Sequence, residues 1–452
     1  MRSAGIDLRI AAVVVPWLAA IVIAAARRHA RPVAFCAALC SVVATLFLLH
    51  GAPPRESLDE VVMVLFASLT AGATLMIPRR DCTPSTMAGV LMLLGSTLLA
   101  YGTDNLVVML AAWVLTAVPF FVPAWFGSVG ARSRLALAVS GAAFAAAVAL
   151  ISAGGNAMTL RALHGRSPGG VVVFTLLVIA VITRKGIWPA HAWIADAVEH
   201  GPAIPTILLL NGHLGAFLAA KVIMPAFPFA YHDSFALLTY LALGTALYTA
   251  VRALAENSPR TMLGLIGLSQ SACILAGLES QTTEGITGAL VHWCVVTVST
   301  TGLFGIVRLL EVRFGENLTA RTHMGLAENA PRLAVFFLVF GLALVGLPGT
   351  LSFCSQDLLI HGTLAAHKRV GLLLPIATAM NAITIFRLFA RLFLGKRRTG
   401  FTIMADALPR ERWILSAGLV FVVLGGLFPN AIVAVQSAEA ETVARLSRAL
   451  DR

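Results

Sequence analysis

Residues 184–221 read RKGIWPAHAWIADAVEHGPAIPTILLLNGHLGAFLAAK, with long apolar runs on both sides. Within this stretch stand Arg184, Lys185, His191, Asp196, Glu199, His200, His213 and Lys221, and Pro189, Gly201, Pro202 and Pro205 interrupt the helical pattern between them. A proline removes a backbone donor and clashes with the preceding turn, so a helix here breaks or ends. Broken backbone at membrane depth survives only where protein or a watery cavity satisfies it. An ionisable side chain near the bilayer centre costs roughly 2.5–3.5 kcal/mol on insertion scales. Breaks and charges together point to a polar pathway inside a membrane protein, of the kind built from discontinuous helices.

Composition agrees. Of 452 residues, 58% are hydrophobic and only 12% are charged, and the mean hydropathy is +0.88. A soluble domain carries about 25% charged residues, so the chain reads as an integral membrane protein. The net charge of +12 is spread in short clusters between apolar runs. That is the positive-inside pattern, with contact to a lipid bilayer. No basic groove with interleaved aromatics appears, which argues against nucleic acid as a partner. The six cysteines, Cys36, Cys40, Cys82, Cys273, Cys294 and Cys354, lack paired metal-ligand spacing and read as buried thiols. Arg27, Arg28 and Arg31 follow the first apolar run instead of preceding it, so it reads as a retained helix.

A spanning helix needs about 20 mostly apolar residues. Fourteen runs qualify: 8–26, 32–50, 58–77, 85–101, 105–126, 133–153, 168–187, 203–224, 234–254, 260–278, 284–310, 331–363 with a break, 370–394 and 413–436. Residues 191–198 and 351–364 read as half-helices or interfacial pieces, and 311–330 as the longest polar connection. Lys/Arg bias then sets orientation. With the N-terminus outside, the inner loops hold Arg27, Arg28, Arg31, Arg79, Arg80, Arg132, Arg134, Arg252, Arg260, Arg313, Arg321, Lys396, Arg397 and Arg398. The opposite loops hold only Arg55, Arg161, Arg166, Lys368 and Arg369, so both termini are expected outside a bacterial-type cytoplasmic (inner) membrane. A second break, GLPGTLSFCSQD over 346–357 with Pro348 and Gly349, mirrors the first. Two such breaks in comparable places suggest inverted repeats.

Four collinear segments resemble the ion-translocating, antiporter-like membrane subunits of respiratory complex I, membrane-bound hydrogenases and Mrp-type antiporters. The first joins Lys185 or Arg184, Pro189, His191 with Trp193, Asp196 and the proline-opened helix at Pro202. The second runs from Ala253 through Arg260 to Ser269-Gln270, the third is ALVHWC around His292, and the fourth is the break at 346–357. The resemblance covers roughly residues 104–393 and implies an all-α membrane protein of about fourteen helices, with two inverted five-helix repeats, each containing one broken helix. The implied division is 1–84, three N-terminal helices; 85–230 and 231–396, the two repeats; and 397–452, the last helix and tail.

Departures from the pattern thin the family's usual relay. Val114 follows Trp113 where the family has a glutamate, and Leu210 and Asn211 stand where it has a histidine or lysine. Val296 and Thr300 replace a histidine and a basic residue, and Gln356 replaces a lysine or glutamate. Such side chains hold no exchangeable charge at pH 7.

The candidates for an ion pathway are Lys185, Arg184, His213, His292, Lys221, Asp357 and Gln356. Lys185 follows an apolar run at the break, with a snorkelling pair with Arg184 as the rival reading. Spacing to Pro189 favours Arg184 as the family's basic residue, but arginine does not release its proton. His213 and His292 could carry protons, against a satisfied interior role. Lys221 reads more readily as a snorkelling residue. Asp357 could face Arg387 or Arg391, or cap a half-helix. Asp104 reads as an N-cap, and Asp196, Glu199 and His200 as a wet interfacial face. Pro189, Pro202, Pro205, Pro348 and Gly349 form the structural breaks.

Three functions compete: an ion-translocating subunit of a redox-driven complex, the membrane partner of a soluble carbonic-anhydrase-like zinc protein in inorganic-carbon uptake, and a non-conducting scaffold. No nucleotide, flavin, haem, iron–sulfur or zinc motif is present, so no cofactor is expected and redox chemistry must come from other subunits.

Overall fold

The chain marks its helix starts with the side chains that satisfy first-turn amides. Asn105 Oδ1 accepts from the amides of Val107 and Val108, and Thr282 from Gly285. Thr83 and Ser258 cap from just before Pro84 and Pro259. The cap of the fifth run is therefore Asn105 and not Asp104, whose carbonyl instead accepts from the Leu160 amide.

The computed structural model describes residues 2–27, 29–53, 57–127, 129–227, 232–315, 318–396 and 406–448. Arg28, Arg55, Arg397 and Arg398, used above to argue orientation, lie outside them. The main helices are α1 (Arg2–Ala26), α2 (Ala30–Gly51), α3 (Leu58–Met76), α4 (Pro84–Gly102), α5 (Leu106–Phe121), α6 (Ala131–Ala153), α7 (Gly170–Lys185) and α8 (Ala192–His200). Then follow α9 (Ala203–Ala226), α10 (His232–Ala255), α11 (Pro259–Glu279), α12 (Thr283–Phe314), α13 (Pro331–Leu344), α14 (Leu351–Ala366), α15 (Leu373–Phe393), α16 (Pro409–Leu427) and α17 (Asn430–Arg448).

Among the described residues, ten helices are long and apolar enough to cross a membrane, and the chain is a multi-pass membrane protein. Each of the fourteen apolar runs falls on one helix or on a broken pair. Burial sorts them. α11 and α12 are 94% buried over their apolar windows and α9 is 89% buried, against 28% for α1 and 39% for α2. The three interior helices therefore face protein on all sides, and α1 and α2 face lipid. The 32-residue α12 is the central post, touching α3, α9, α11, α13, α14, α16 and α17.

The two breaks share one design. α7 ends at Gly186, with φ 71°, and the Ile187 amide reaches back to the Ile182 carbonyl at 3.0 Å. α13 ends before Gly346, with φ 86°, and the Leu347 amide reaches back to the Leu342 carbonyl at 3.0 Å. This is a left-handed C-terminal cap that closes off orphan carbonyls, and it favours glycine. Pro189 and Pro348 follow at once. Counted along the fourteen apolar runs, the breaks lie in the seventh and twelfth, five apart. The half-helices α8 and α14 therefore run in opposite directions, as in inverted repeats.

Pro202 and Pro205 stand at the start of α9, where the run 203–224 begins, because first-turn residues need no amide donor. Two boundaries differ from the sequence reading. The polar connection begins later than residue 311, since α12 continues to Phe314 and holds Glu311 within it. The fourteenth run is not one span. α16 ends at Leu427 and the chain turns by 81° into α17, because Pro429 forces Phe428 out of helical geometry, to φ −125° and ψ 59°.

Candidate functional site

The broken helix ends deliver their side chains to the bundle interior. Lys185 closes α7 and is 5% exposed. Its stem lies against Gly215, where an added Cβ would sit 2.6 Å from Lys185 Cγ. Its ammonium donates to Ser271 Oγ on α11 and to His213 Nδ1, at 2.5 and 3.1 Å. An ammonium cannot accept, so Nδ1 of His213 is the acceptor and Nε2 carries the hydrogen. His213 reaches this position through a second interruption, just after Asn211-Gly212, the dipeptide that could have signalled it. It takes φ 42° in the middle of α9, and a π-helical turn over Ala219–Ile223 follows. Tyr101 OH donates to the Gly212 carbonyl beside it, and the Trp293 ring packs edge-on against the His213 ring at 5.4 Å.

The row continues through α11 and α12 to the second break. His292, fully buried, donates from Nε2 to Gln270 Oε1 at 2.9 Å, and its Nδ1 lies 3.0 Å from Ser355 Oγ on α14. Gln356, the next residue, donates to Ser352 Oγ and to the Leu344 carbonyl, bridging α14 to the end of α13. A Cβ on Gly346 would meet Gln356 Oε1 at 2.4 Å, so the break and the amide are fitted to each other. Asn211 and Thr300, two positions where a charge was expected from the resemblance, meet directly at 2.9 Å. Lys185, His213, His292 and Gln356 thus form one buried polar row between the breaks. His213 Nε2, Gln270 Nε2 and Thr297 Oγ1 are buried along it without a partner among the described residues.

Three candidates stand apart from the row. The Arg184 guanidinium lies 5.3 Å over the Trp113 ring and donates to Thr116 Oγ1, so the neighbouring basic residues point to different places. Lys221 pairs with Asp59 at 2.8 Å. Asp357 is 63% exposed and pairs with His361 at 3.5 Å. It faces neither proposed arginine. Arg387 donates to the Leu254 carbonyl and to Asn257, while Asp357, one residue after the buried Gln356, turns to the exposed side of α14. His191 and Trp193 shape the turn as expected, through a ring contact with Tyr248 and a 2.8 Å bond to the Thr183 carbonyl. Asp196 and Glu199 are not simply wet, since Ser133 donates to the first and Ser258 and Thr261 to the second.

Sequence reasoning missed two features. Glu279 closes α11, is 3% exposed and lies within the electrostatic reach of Lys185. It follows the apolar run by one residue, so it read as loop. The second is a polar vestibule of about 1160 Å³ at one end of the bundle. Asp81 grips Arg308 with two bonds of 2.7 and 2.8 Å, and Glu311 joins Arg308 to Arg260 at 2.9 and 2.5 Å. Residues 201–205, which lead into α9, line the vestibule, and residues 207–214 of that helix line the small cavity at Lys185 and Ser271.

A multi-pass helical bundle with two oppositely directed broken helices and a buried polar row joining them has the build of the membrane proteins that house ion or substrate paths at discontinuous helices. More narrowly, residues 105–381 match the family described as NADH:quinone oxidoreductase/Mrp antiporter, TM, and the chain belongs to that family. Similar curated proteins include NADH-quinone oxidoreductase subunit 13 of Thermus thermophilus, 29% identical over 260 residues, covering 57% of this chain and 55% of that protein. Another is NADH-quinone oxidoreductase subunit M of Rickettsia prowazekii, 24% identical over 267 residues, covering 58% and 54%. The matched part therefore spans about half the length of such relatives. Among solved structures, a chain of respiratory complex I from Thermus thermophilus with bound NADH superposes with a TM-score of 0.86 at 22% identity, covering 97% of this chain and 99% of that one. A chain of the Mrp complex from Dietzia sp. DQ12-45-1b gives 0.82 at 18% identity, covering 98% of each. These likenesses establish a shared fold.

Proposed function

We propose that this chain is a proton-translocating, antiporter-like subunit of a multi-subunit, redox-driven complex in a bacterial-type inner membrane. The observation that carries this reading is the direct bond between Lys185 and His213, buried at the first break and aligned with His292 and Gln356 at the second. Both groups exchange protons when their surroundings change. Family membership and relatives named as NADH-quinone oxidoreductase subunits support the assignment. Protons enter at the vestibule, follow α9 to Lys185 and His213, and cross between His213 and Gln270, where water completes the buried polar atoms. Glu279 is buried within the electrostatic reach of Lys185, and a partner subunit that changes the local field moves the proton onward. The organisation that goes with this is three N-terminal helices (1–84), two repeats (85–230 and 231–396) and a closing helix with its tail (397–452).

The test is proton uptake into liposomes carrying the complex isolated with its partners, read by an internal pH dye. Lys185→Ala in an assembled complex is expected to abolish coupled uptake, and undiminished uptake overturns the reading in favour of a scaffold. The same preparation separates the rival partner. Co-isolation of a flavin and iron–sulfur assembly supports the redox assignment, and co-isolation of a carbonic-anhydrase-like zinc protein replaces it with inorganic-carbon uptake.

A further inference from the structure

An apolar groove of about 810 Å³ runs between α2, α3, α12, α16 and α17. Along α2 it extends from Phe35 to Leu49, about 21 Å at 1.5 Å per residue. That exceeds the ~15 Å hydrocarbon depth of one leaflet. Its walls are almost wholly hydrocarbon, so water gains nothing by filling it.

One end of the groove is strongly basic. Arg31 stands one turn before Phe35 on α2, and Arg410 one turn before Ile414 on α16, so both share the faces that line the groove. Arg79 follows Met76 just past the end of α3. The three come together. Arg31 donates to the Ile77 carbonyl, and Arg410 lies in the electrostatic field of both Arg31 and Arg79.

Compensating acids are already committed. Asp81 is held by Arg308. Glu411 is 4.0 Å from Arg410, but it accepts from Arg313 at 2.5 Å and from the Leu408 amide at 2.9 Å. Nε of Arg31 and Nε of Arg410 are buried with no hydrogen-bond partner among the described residues. The first turns of α2 and α16 begin here as well, which adds the positive ends of two helices. Like charges held together with buried, unpaired donors need an anion.

We propose that this groove is the binding site of one anionic phospholipid, with its phosphate among Arg31, Arg79 and Arg410 and an acyl chain along Phe35, Met76 and Ile414. An apolar slot with a three-arginine mouth matches the two halves of such a molecule. A zwitterionic lipid brings its own cation to the arginines, and a partner's apolar helix leaves their donors unmet. Each arginine near a lipid surface is worth on the order of fivefold in affinity. The preference for an anionic over a zwitterionic headgroup is therefore expected to be on the order of 100-fold.

The experiment uses the full chain in mild detergent, stripped of lipid and titrated with dioleoyl phosphatidylglycerol or dioleoyl phosphatidylcholine. Retention is read by native mass spectrometry, and protection by thermal unfolding. Wild type is expected to retain one equivalent of phosphatidylglycerol and to discriminate against phosphatidylcholine. Arg31→Gln with Arg410→Gln is expected to weaken phosphatidylglycerol binding by roughly 25-fold, two arginines' worth. Arg79→Gln, at an exposed position that does not threaten folding, should weaken it by roughly fivefold. Arg132→Gln with Arg134→Gln removes the same charge elsewhere and should leave it unchanged. Ala417→Trp, which fills the groove, should reduce retention of the lipid. Equal retention of both lipids by wild type, or a phosphatidylglycerol preference that survives the Arg31/Arg410 and Arg79 substitutions, overturns the proposal. So does a co-isolated polypeptide that occupies the groove.

Discussion

At the level of single residues, two adjacent cations compete for the place facing the row. Arg184 and Lys185 are about 100° apart on α7, so one packs on Trp113 while the other meets His213. Spacing to Pro189 favoured the arginine, and spacing alone could not tell which residue turns inward. Lys185→Ala should abolish coupled proton uptake with assembly intact. Lys185→Arg should fail as well, because a guanidinium keeps its proton. Arg184→Ala should be milder, and the reverse ranking in the liposome assay would make Arg184 the pathway residue. Glu279→Gln removes the one exchangeable proton of this buried side chain while keeping its shape. Uptake should fall at least tenfold with unchanged assembly, and unaltered uptake would remove Glu279 from the path.

At the scale of elements, the breaks are glycine-dependent. Gly186→Ala would put a Cβ at 2.5 Å from Ile194 Cγ1, and Gly346→Ala would put one at 2.4 Å from Gln356 Oε1. Both residues also hold positive φ, so each substitution should cost about 1–3 kcal/mol and lower the apparent unfolding temperature in detergent. An unchanged temperature for both would mean the caps are not under constraint. The breaks were legible in the sequence because glycine and proline announce them. The interruption at His213 carries a weaker mark, the Asn211-Gly212 pair just before it, which an otherwise apolar run masks. The ends of α11 and α12 were also misjudged. Glu279 and Glu311 read as loop because hydropathy assigns charge to water, whereas here Arg260 and Arg308 hold Glu311 inside the protein. Apolar periodicity identified the rods, but partnership between charges on different rods is a tertiary property that one sequence does not display.

At the scale of the whole molecule, the vestibule gathers five connections onto one end, from the segments around Asp81, Phe126, Glu199, Ser258 and Arg321. Arg308→Ala would leave Asp81 without its bidentate partner and Glu311 with one cation in place of two. A loss of about 3 kcal/mol is expected for breaking a largely buried pair, read as a lower apparent unfolding temperature. That end also carries Arg27, Arg31, Arg79, Arg80, Arg252 and Arg260, the rich side of the positive-inside count. The fourteen crossings expected from the apolar runs would return the chain to the side on which it began. The 81° turn after Leu427 does not add another, because α17 carries Gln436, Ser437 and Glu441 and bends away from the axis of α16. Both termini are therefore expected on the outer side. Fusions of an alkaline phosphatase and of a green fluorescent protein after Arg452, and within residues 396–398, should report opposite compartments, with phosphatase active only at the C-terminus. Arg452 and the two arginines of that loop lie outside the described residues, so the fusions probe what the crossing count alone implies. Fluorescence without phosphatase activity at the C-terminus would mean an odd number of crossings. It would place one of the shorter rods, α5 or the α13–α14 pair, at an interface instead of across the membrane.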